Sequence, residues 1–164
     1  LPMTLFILFV GDRLQLGPKA GLFLLVYFVA GLAGMPFWLR IAAKKGKHVA
    51  WCWSMLLACV VFAFAPFLGP GAETAFLLIC LGTGFAVGAD LVLPASLQAD
   101  VIDVDTAATG EERSGLYLAV WGLATKLALA LAVGIAFPLL GAAGYDPGSG
   151  AKSEFGLWTL GMLY

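Results

Sequence analysis

Four stretches of the chain are each long and apolar enough to cross a lipid bilayer as a helix. They cover residues 20–39, 49–68, 74–99 and 115–140. A spanning helix needs about 20 mostly apolar residues, because the hydrocarbon layer is about 30 Å thick and a helix rises about 1.5 Å per residue. The sequence therefore predicts an all-α fold, a polytopic bundle of transmembrane helices.

The composition supports a membrane protein over a soluble one. Hydrophobic residues make up 62% of the chain and charged residues 12%, whereas soluble domains are about half apolar and a quarter charged. A soluble domain of this size keeps about 30% of its chain surface exposed, and too few polar residues are present to cover it. The net charge is -1, and no basic stripe with interleaved aromatic residues suggests a nucleic acid partner.

Shorter apolar segments flank the four spans. Residues 1–11 read as the end of one span and residues 155–164 as the beginning of another, which gives six segments. We therefore expect both ends to be cuts through longer helices and the native protein to be longer. Short connectors rich in Gly and Pro predict antiparallel neighbouring helices and leave no room for a soluble domain.

The basic residues predict the orientation in the membrane. Four of them lie together in one connector: Arg40, Lys44, Lys45 and Lys47. Because Lys and Arg concentrate in cytoplasmic loops, we place this connector in the cytoplasm. Alternation then puts the loop over residues 100–114 on the same side and the loops with Arg13, Lys19 and Lys152 outside.

Two charges lie well inside predicted spans, where a charge is costly unless it is paired or faces water. Lys126 is near the middle of its span, and Asp90 lies ~6 Å past the centre of its own. The offset allows an ion pair between the two residues. They form either a fixed structural pair or part of a polar cavity whose partners change during a transport cycle.

A second group of charges follows the third span. Asp100 and Asp103 share a helix face at i, i+3, and Arg113 can make a bidentate contact with either carboxylate. The cluster is either a solvated surface or a latch that makes and breaks. No His or Cys joins these carboxylates, so we do not expect a metal site.

Glycine is frequent within the spans, and Gly84 and Gly88 have the spacing of a close helix contact. The contact is either ordinary bundle packing or the seam of a moving helix. No phosphate-binding loop, nucleophile elbow or metal-ligand spacing is present. Ser96, Ser114 and His48 are the only conceivable catalytic parts, and they lie near a predicted surface. We therefore expect neither an enzyme nor a cofactor.

Several motifs resemble one known family. They are Gln-Ala-Asp-Val-Ile-Asp over residues 98–103, Thr-Gly-Glu-Glu-Arg-Ser-Gly over 109–115, Tyr117, Lys126, and Gly-Tyr-Asp-Pro over 144–147. Their order and spacing resemble the glycoside-pentoside-hexuronide:cation symporters, the melibiose-permease-like branch of the major facilitator superfamily. The basic connector over 36–47 is similar to that family's loop between helices 8 and 9.

The resemblance implies the C-terminal half of a twelve-helix transporter. On this basis residues 1–11 end helix 7, the four spans are helices 8 to 11 in order, and residues 155–164 begin helix 12. It also implies that Lys126 points toward the central cavity and that Asp100, Asp103 and Arg113 form a cytoplasmic gate. Relatives often have Arg-x-Glu-Gly where this chain has Arg-Ser-Gly over 113–115. We expect Glu111 or Glu112 to replace the missing acidic partner.

The function implied by the resemblance is symport of a sugar or glycoside with Na⁺ or H⁺, by alternating access, in the inner or plasma membrane. The coupling-cation site is expected mainly in the N-terminal half, which is also the expected partner of this bundle. Two alternatives remain open. One is a symporter of a non-sugar solute, and the other is a non-transporting scaffold or receptor bundle with a fixed Asp90–Lys126 pair.

Overall fold

The computed structural model describes residues 2–145 and 153–164, and the regular elements in this part of the chain are helices. They are α1 (Pro2–Leu8), α2 (Ala20–Lys45), α3 (Lys47–Phe62), α4 (Glu73–Asp90), α5 (Leu93–Thr109), α6 (Ser114–Ala142) and α7 (Glu154–Leu163). A π-helix over Phe9–Arg13 continues α1, and 3-10 turns over Gly17–Lys19 and Ala65–Phe67 precede α2 and follow α3. The predicted all-α class is confirmed.

Four helical stretches are long and apolar enough to span a membrane. They are Gly17–Lys45, Lys47–Phe67, Glu73–Thr109 and Ser114–Ala142. Their apolar side chains lie largely on the outside, and in the last stretch only 11% of the most apolar window is buried. An outward apolar surface of this extent is stable against lipid or against a second apolar bundle, so the chain is a transmembrane helix bundle.

The first span is longer than predicted. Instead of ending near residue 39, α2 continues to Lys45, because Arg, Ala and Lys are good helix formers that extend a helix beyond the apolar segment. Gly46 ends it with a φ of 95°, which favours glycine, and α3 begins at the next residue. The predicted basic connector is therefore helical except for Gly46.

The third predicted span is not one continuous helix. It ends at Asp90, resumes at Leu93 and runs to Thr109, beyond the predicted end at residue 99. Pro94 explains the break, because its nitrogen carries no hydrogen for the Asp90 carbonyl and its ring disfavours helical geometry just before it. Val92, at the break, has a φ of -122° and a ψ of -37°.

The tightest contact in the bundle joins α2 and α4 through glycines. A methyl group added at Gly88 would lie 2.5 Å from the Gly31 carbonyl oxygen, and one added at Gly84 would lie 2.3 Å from the Tyr27 carbonyl oxygen. The two backbones approach too closely for any side chain. The close-contact face predicted from Gly84 and Gly88 is therefore present, with α2 as its partner.

Two other groups of buried residues organise the end of the bundle away from Lys45. Phe9, Phe23 and Phe76 pack together where the π-helix, α2 and α4 meet. Leu5, Ala136, Leu140, Tyr145 and Leu160 form the second group, which joins α1, α6 and α7. The buried residues of α6 are Ala136 and Leu140, in its last two turns. The remainder of α6 is not packed into the described core.

Candidate functional site

Lys126 lies near the middle of α6 on a surface that the described chain leaves open. It is twelve residues after Ser114 and sixteen before Ala142, which corresponds to ~18 Å and ~24 Å of helix. Its side chain is exposed and has no hydrogen bond or ion pair within the described residues. A lysine facing lipid at this depth costs roughly 2.5–3.5 kcal/mol or more. In a membrane this side of α6 must therefore meet water or polar groups.

Asp90 is paired differently from what the sequence allowed. It is the last residue of α4, and its Oδ1 accepts a hydrogen bond from the indole Nε1 of Trp51 at 2.5 Å. It makes no ion pair with Lys126 in the described structure. The Asp90–Lys126 pair is therefore absent from this conformation, because a neighbouring helix supplies the donor.

Lys47 connects the basic end of α3 to the carboxylate cluster. Its Nζ lies 2.7 Å and 2.6 Å from the two carboxylate oxygens of Asp100, and 3.4 Å from the Ser96 carbonyl oxygen. Lys47 and Trp51 are four residues apart and share one face of α3. The same face of α3 thus holds Asp90 on one side of the helix break and Asp100 on the other.

This contact shows which loops share an end of the bundle. The Lys47–Asp100 ion pair joins the α2–α3 junction to the part of α5 that follows the break. At the opposite end, Lys19 and Glu73 form an ion pair of 2.5 Å. The alternation of loops predicted from the basic residues is consistent with both contacts.

Arg113 does not contact the aspartates with which it was expected to pair. Its Nε and Nη2 donate to Oε2 of Glu111 at 3.0 Å and 2.8 Å. Glu111 is thus the acidic residue that Arg113 contacts in this conformation. Asp103 is exposed and has no partner among the described residues. The three predicted gate residues are therefore near one another in sequence but not bonded to each other.

The other basic residues of the predicted cytoplasmic connector lie at the end of α2. Arg40, Lys44 and Lys45 are exposed, and the Lys45 Nζ lies 4.4 Å from the centre of the Trp53 ring. A cation over an indole face at this distance is attracted by the negative face of the ring. None of the three forms an ion pair with a described carboxylate.

A groove of about 490 Å³ opens between α3, α5 and α6. Its walls include the aromatic residues Trp51, Tyr117 and Trp121 and the polar residues His48 and Gln98. Gln98 donates to the Tyr117 carbonyl oxygen at 2.9 Å and so joins α5 to α6. Aromatic walls with a few polar groups suit a small amphipathic molecule. The sequence analysis did not predict this groove.

The opposite end of the bundle contains a buried tyrosine. Tyr145 is 1% exposed, and its hydroxyl donates to the Asp12 carboxylate. Burial and the hydrogen bond to Asp12 raise the pKa of Tyr145 above its ordinary value. Asp146 and Pro147 of the same motif, and Lys152, lie outside the described residues.

The described residues contain no group of three or more His, Cys, Asp or Glu side chains that could hold a metal ion. The candidate site therefore consists of Lys126, the helix break with Asp90 and Trp51, and the ion pairs at the basic end. Such groups can bind a polar solute or exchange partners between conformations.

Comparison with known proteins identifies the family. A family model described as MFS/sugar transport protein matches residues 2–164. Comparisons with curated proteins and with solved structures gave no significant match. The match covers nearly the whole chain and agrees with the four apolar spans. The chain is thus an integral multi-pass membrane protein of the transporter class, and it belongs to the MFS/sugar transport protein family.

Proposed function

We propose that the protein is a secondary active transporter that couples uptake of a sugar or glycoside to a gradient of Na⁺ or H⁺ in the inner or plasma membrane. In this proposal the chain forms the C-terminal bundle, which rocks against an N-terminal bundle around a site near the middle of the membrane. The family match supports a transporter of a small solute. The cation and the direction of coupling go beyond that match.

The observation that carries this proposal is the position of Lys126. Its side chain is exposed at mid-span on a helix whose buried residues are confined to its last two turns. A cation there is stable only against a water-filled cavity or polar groups of another bundle. An alternating-access transporter supplies both, since the central cavity lies between its two halves.

The gate roles rest on ion pairs that can be exchanged. Asp100 is held by Lys47 and Arg113 by Glu111, and all four side chains are at least one-third exposed. Exposed pairs of this kind contribute about 0–1 kcal/mol, so exchanging them for partners on a second bundle costs little. We therefore assign Asp100, Asp103 and Arg113 to the cytoplasmic gate, with Lys47 as the partner of Asp100 and Glu111 as the partner of Arg113 in this conformation.

The scaffold alternative is less well supported. It required a fixed pair between Asp90 and Lys126, and Asp90 is bonded to Trp51 instead. A symporter of a non-sugar solute remains as an outcome of the experiment below. We place the coupling-cation site in the N-terminal bundle, as the family resemblance implies.

Uptake of radiolabelled glycosides into vesicles that carry the full-length protein tests this proposal. Wild type, Lys126→Ala and Lys19→Ala are compared with and without a Na⁺ or H⁺ gradient. We expect gradient-driven uptake that falls at least tenfold in Lys126→Ala and less than twofold in Lys19→Ala. Gradient-driven uptake of other solutes but no glycoside would favour the non-sugar alternative. If none of the solutes tested is taken up, the result would contradict the proposal that the protein is a transporter.

A further inference from the structure

A second groove, separate from the one near Tyr117, runs between the basic end of α2 and the neighbouring α3. It has a volume of about 500 Å³ and an entirely apolar or aromatic lining: Phe37, Trp38, Ile41, Trp53, Leu56, Leu57, Val60 and Phe85. On α3 it extends from Trp53 to Val60, seven residues or ~10 Å along the helix. Both helices are long and apolar enough to span a membrane, so in a bilayer the groove would open sideways into the hydrocarbon layer.

The base of this groove is fixed and offers no polar group. Trp38 is 3% exposed, and its Nε1 donates to the Phe85 carbonyl oxygen at 2.8 Å, so its one polar atom is already satisfied. Leu56 and Val60 on the rim are 64% and 52% exposed. The groove is a rigid apolar slot with an open side, which suits a hydrocarbon chain.

Three cations lie at the end of the groove that faces the membrane surface. Along α2, Phe37, Ile41 and Lys45 follow one another at intervals of four residues, so the charged residue continues the stripe that lines the groove. The Lys45 Nζ lies 4.4 Å from the centre of the Trp53 ring, which is itself part of the lining. Arg40 and Lys44 are three residues beyond Phe37 and Ile41, so they flank the same stripe.

These three cations lack a negative partner within the described residues. The ion pairs found there use Lys19, Lys47 and Arg113. Lys47, the nearest other cation, is taken by Asp100. Arg40, Lys44 and Lys45 therefore leave three uncompensated positive charges above an apolar slot.

We propose that this groove binds one anionic phospholipid, with an acyl chain along Trp38 and Leu56 and the phosphate group on Arg40, Lys44 and Lys45. The apolar lining accounts for the chain, and the three cations account for the preference for a negative headgroup. Basic pockets at the cytoplasmic end of transmembrane helices bind anionic headgroups in this way, at about 1 kcal/mol per Lys or Arg. A peptide segment of a second bundle would also fit the apolar groove, but it would need carboxylates positioned to pair with Arg40, Lys44 and Lys45.

Native mass spectrometry of the full-length protein tests the proposal. The protein is titrated with phosphatidylglycerol and with phosphatidylcholine of the same chain length, and the lipids retained are counted. We expect one phosphatidylglycerol to be retained in preference to phosphatidylcholine. The apparent affinity should fall about fivefold for each of Lys44→Gln and Lys45→Gln, and by a larger factor in the variant that also carries Arg40→Gln.

Matched variants test separately the apolar groove and the cations at its end. Leu57→Trp fills the groove and should weaken binding of phosphatidylglycerol at least fivefold, while Leu22→Trp, outside the groove, should not. Lys19→Gln removes a cation at the other end of α2 and should leave the binding unchanged.

Three results would overturn the proposal. One is equal retention of the two lipids by the wild type. The second is wild-type affinity in both Lys44→Gln and Lys45→Gln, which are single surface changes that leave folding intact. The third is wild-type affinity in Leu57→Trp, which would mean that the groove holds no acyl chain.

Discussion

At the scale of single residues, the chain has few charged side chains, and most of those described contact a hydrogen-bonding, oppositely charged or aromatic group. Asp90 accepts from Trp51, Asp100 from Lys47, and Glu111 from Arg113. Lys126 differs because it lies at mid-span without a described partner. A residue that is costly in lipid and unpaired within its own bundle is explained by a function in contact with water or a second bundle.

The Lys47–Asp100 pair provides a test at this scale. The charge-swapped variant that combines Lys47→Asp with Asp100→Lys keeps the ion pair, so its thermal stability should stay within about 2 °C of wild type, as for pairs worth about 0–1 kcal/mol. Its transport should nevertheless fall at least tenfold, because a lysine at position 100 repels the cations that a gate aspartate must meet. Thermal unfolding and uptake are measured on the same preparations.

The swap of Glu111 and Arg113 serves as a comparison, since it moves the charge of another gate residue. Full transport in the Lys47–Asp100 swap would show that the ion pair between these two positions is sufficient for activity. It would then contradict the assignment of Asp100 to the gate.

At the scale of helices, two features determine how the bundle can move. The α2–α4 contact is interlocked, because the backbones of Gly31 and Gly88 touch directly. By contrast, α4 and α5 are separated by a break at Leu91 and Val92, beside Pro94. The bundle thus combines a rigid helix pair with a joint in a single membrane span.

The close α2–α4 contact predicts that one added methyl group strongly lowers the stability of the bundle. In Gly88→Ala the added carbon would lie 2.5 Å from the Gly31 carbonyl oxygen, so α2 and α4 must separate. We expect a loss of about 1–3 kcal/mol of stability, as in other overpacked cores. Gly134→Ala has no atom within 4 Å of the new carbon and should cost nothing. Equal thermal stability of the two variants in detergent would argue against the interlocked contact.

The break between α4 and α5 predicts that straightening it changes the transport rate and not the folding of the protein. Pro94→Ala restores the missing backbone donor and should straighten the span, which keeps or raises thermal stability and lowers the maximal transport rate several-fold. Pro36 lies inside α2, which is continuous through it, so Pro36→Ala is the control. Unchanged transport in Pro94→Ala, with the helix shown to straighten by spin-label distances, would exclude the joint as a moving element.

The same elements show what sequence reasoning can predict. Hydropathy located all four spans, because length and apolarity determine which segments can cross a membrane. It could not detect the break at Leu91, since Pro94 lies within an apolar run and changes hydrogen bonding, not hydropathy. It also placed the end of α2 too early, because Arg40 to Lys45 are polar and yet helical.

The site was predicted less completely than the spans. Lys126 and Asp90 were selected because charges are rare in apolar segments, and Asp100 was selected because it belongs to a cluster of charges after the third span. Their partners were not, since Trp51 and Lys47 are 39 and 53 residues from the aspartates they contact. Only packing of α3 against the break brings these residues together.

At the scale of the whole molecule, the described bundle leaves much of its apolar surface open. Its large apolar side chains are widely exposed, and α6 is buried only near its end. Lipid and an N-terminal bundle would cover different parts of this surface. The basic end, with Arg40, Lys44 and Lys45, lies where the positive-inside rule puts the cytoplasm, next to the groove that we assign to an anionic lipid.

The central claim is that Lys126 faces the water-filled cavity of a transporter, and thiol labelling tests it directly. Lys126→Cys is made in the full-length protein with its native cysteines replaced, which in this chain are Cys52, Cys59 and Cys80. Leu131→Cys, about 140° further around the same helix, is the control. A membrane-impermeant reagent should label position 126 at least tenfold faster than position 131, with a rate that changes when solute is added. Labelling of position 126 no faster than position 131 would contradict the account.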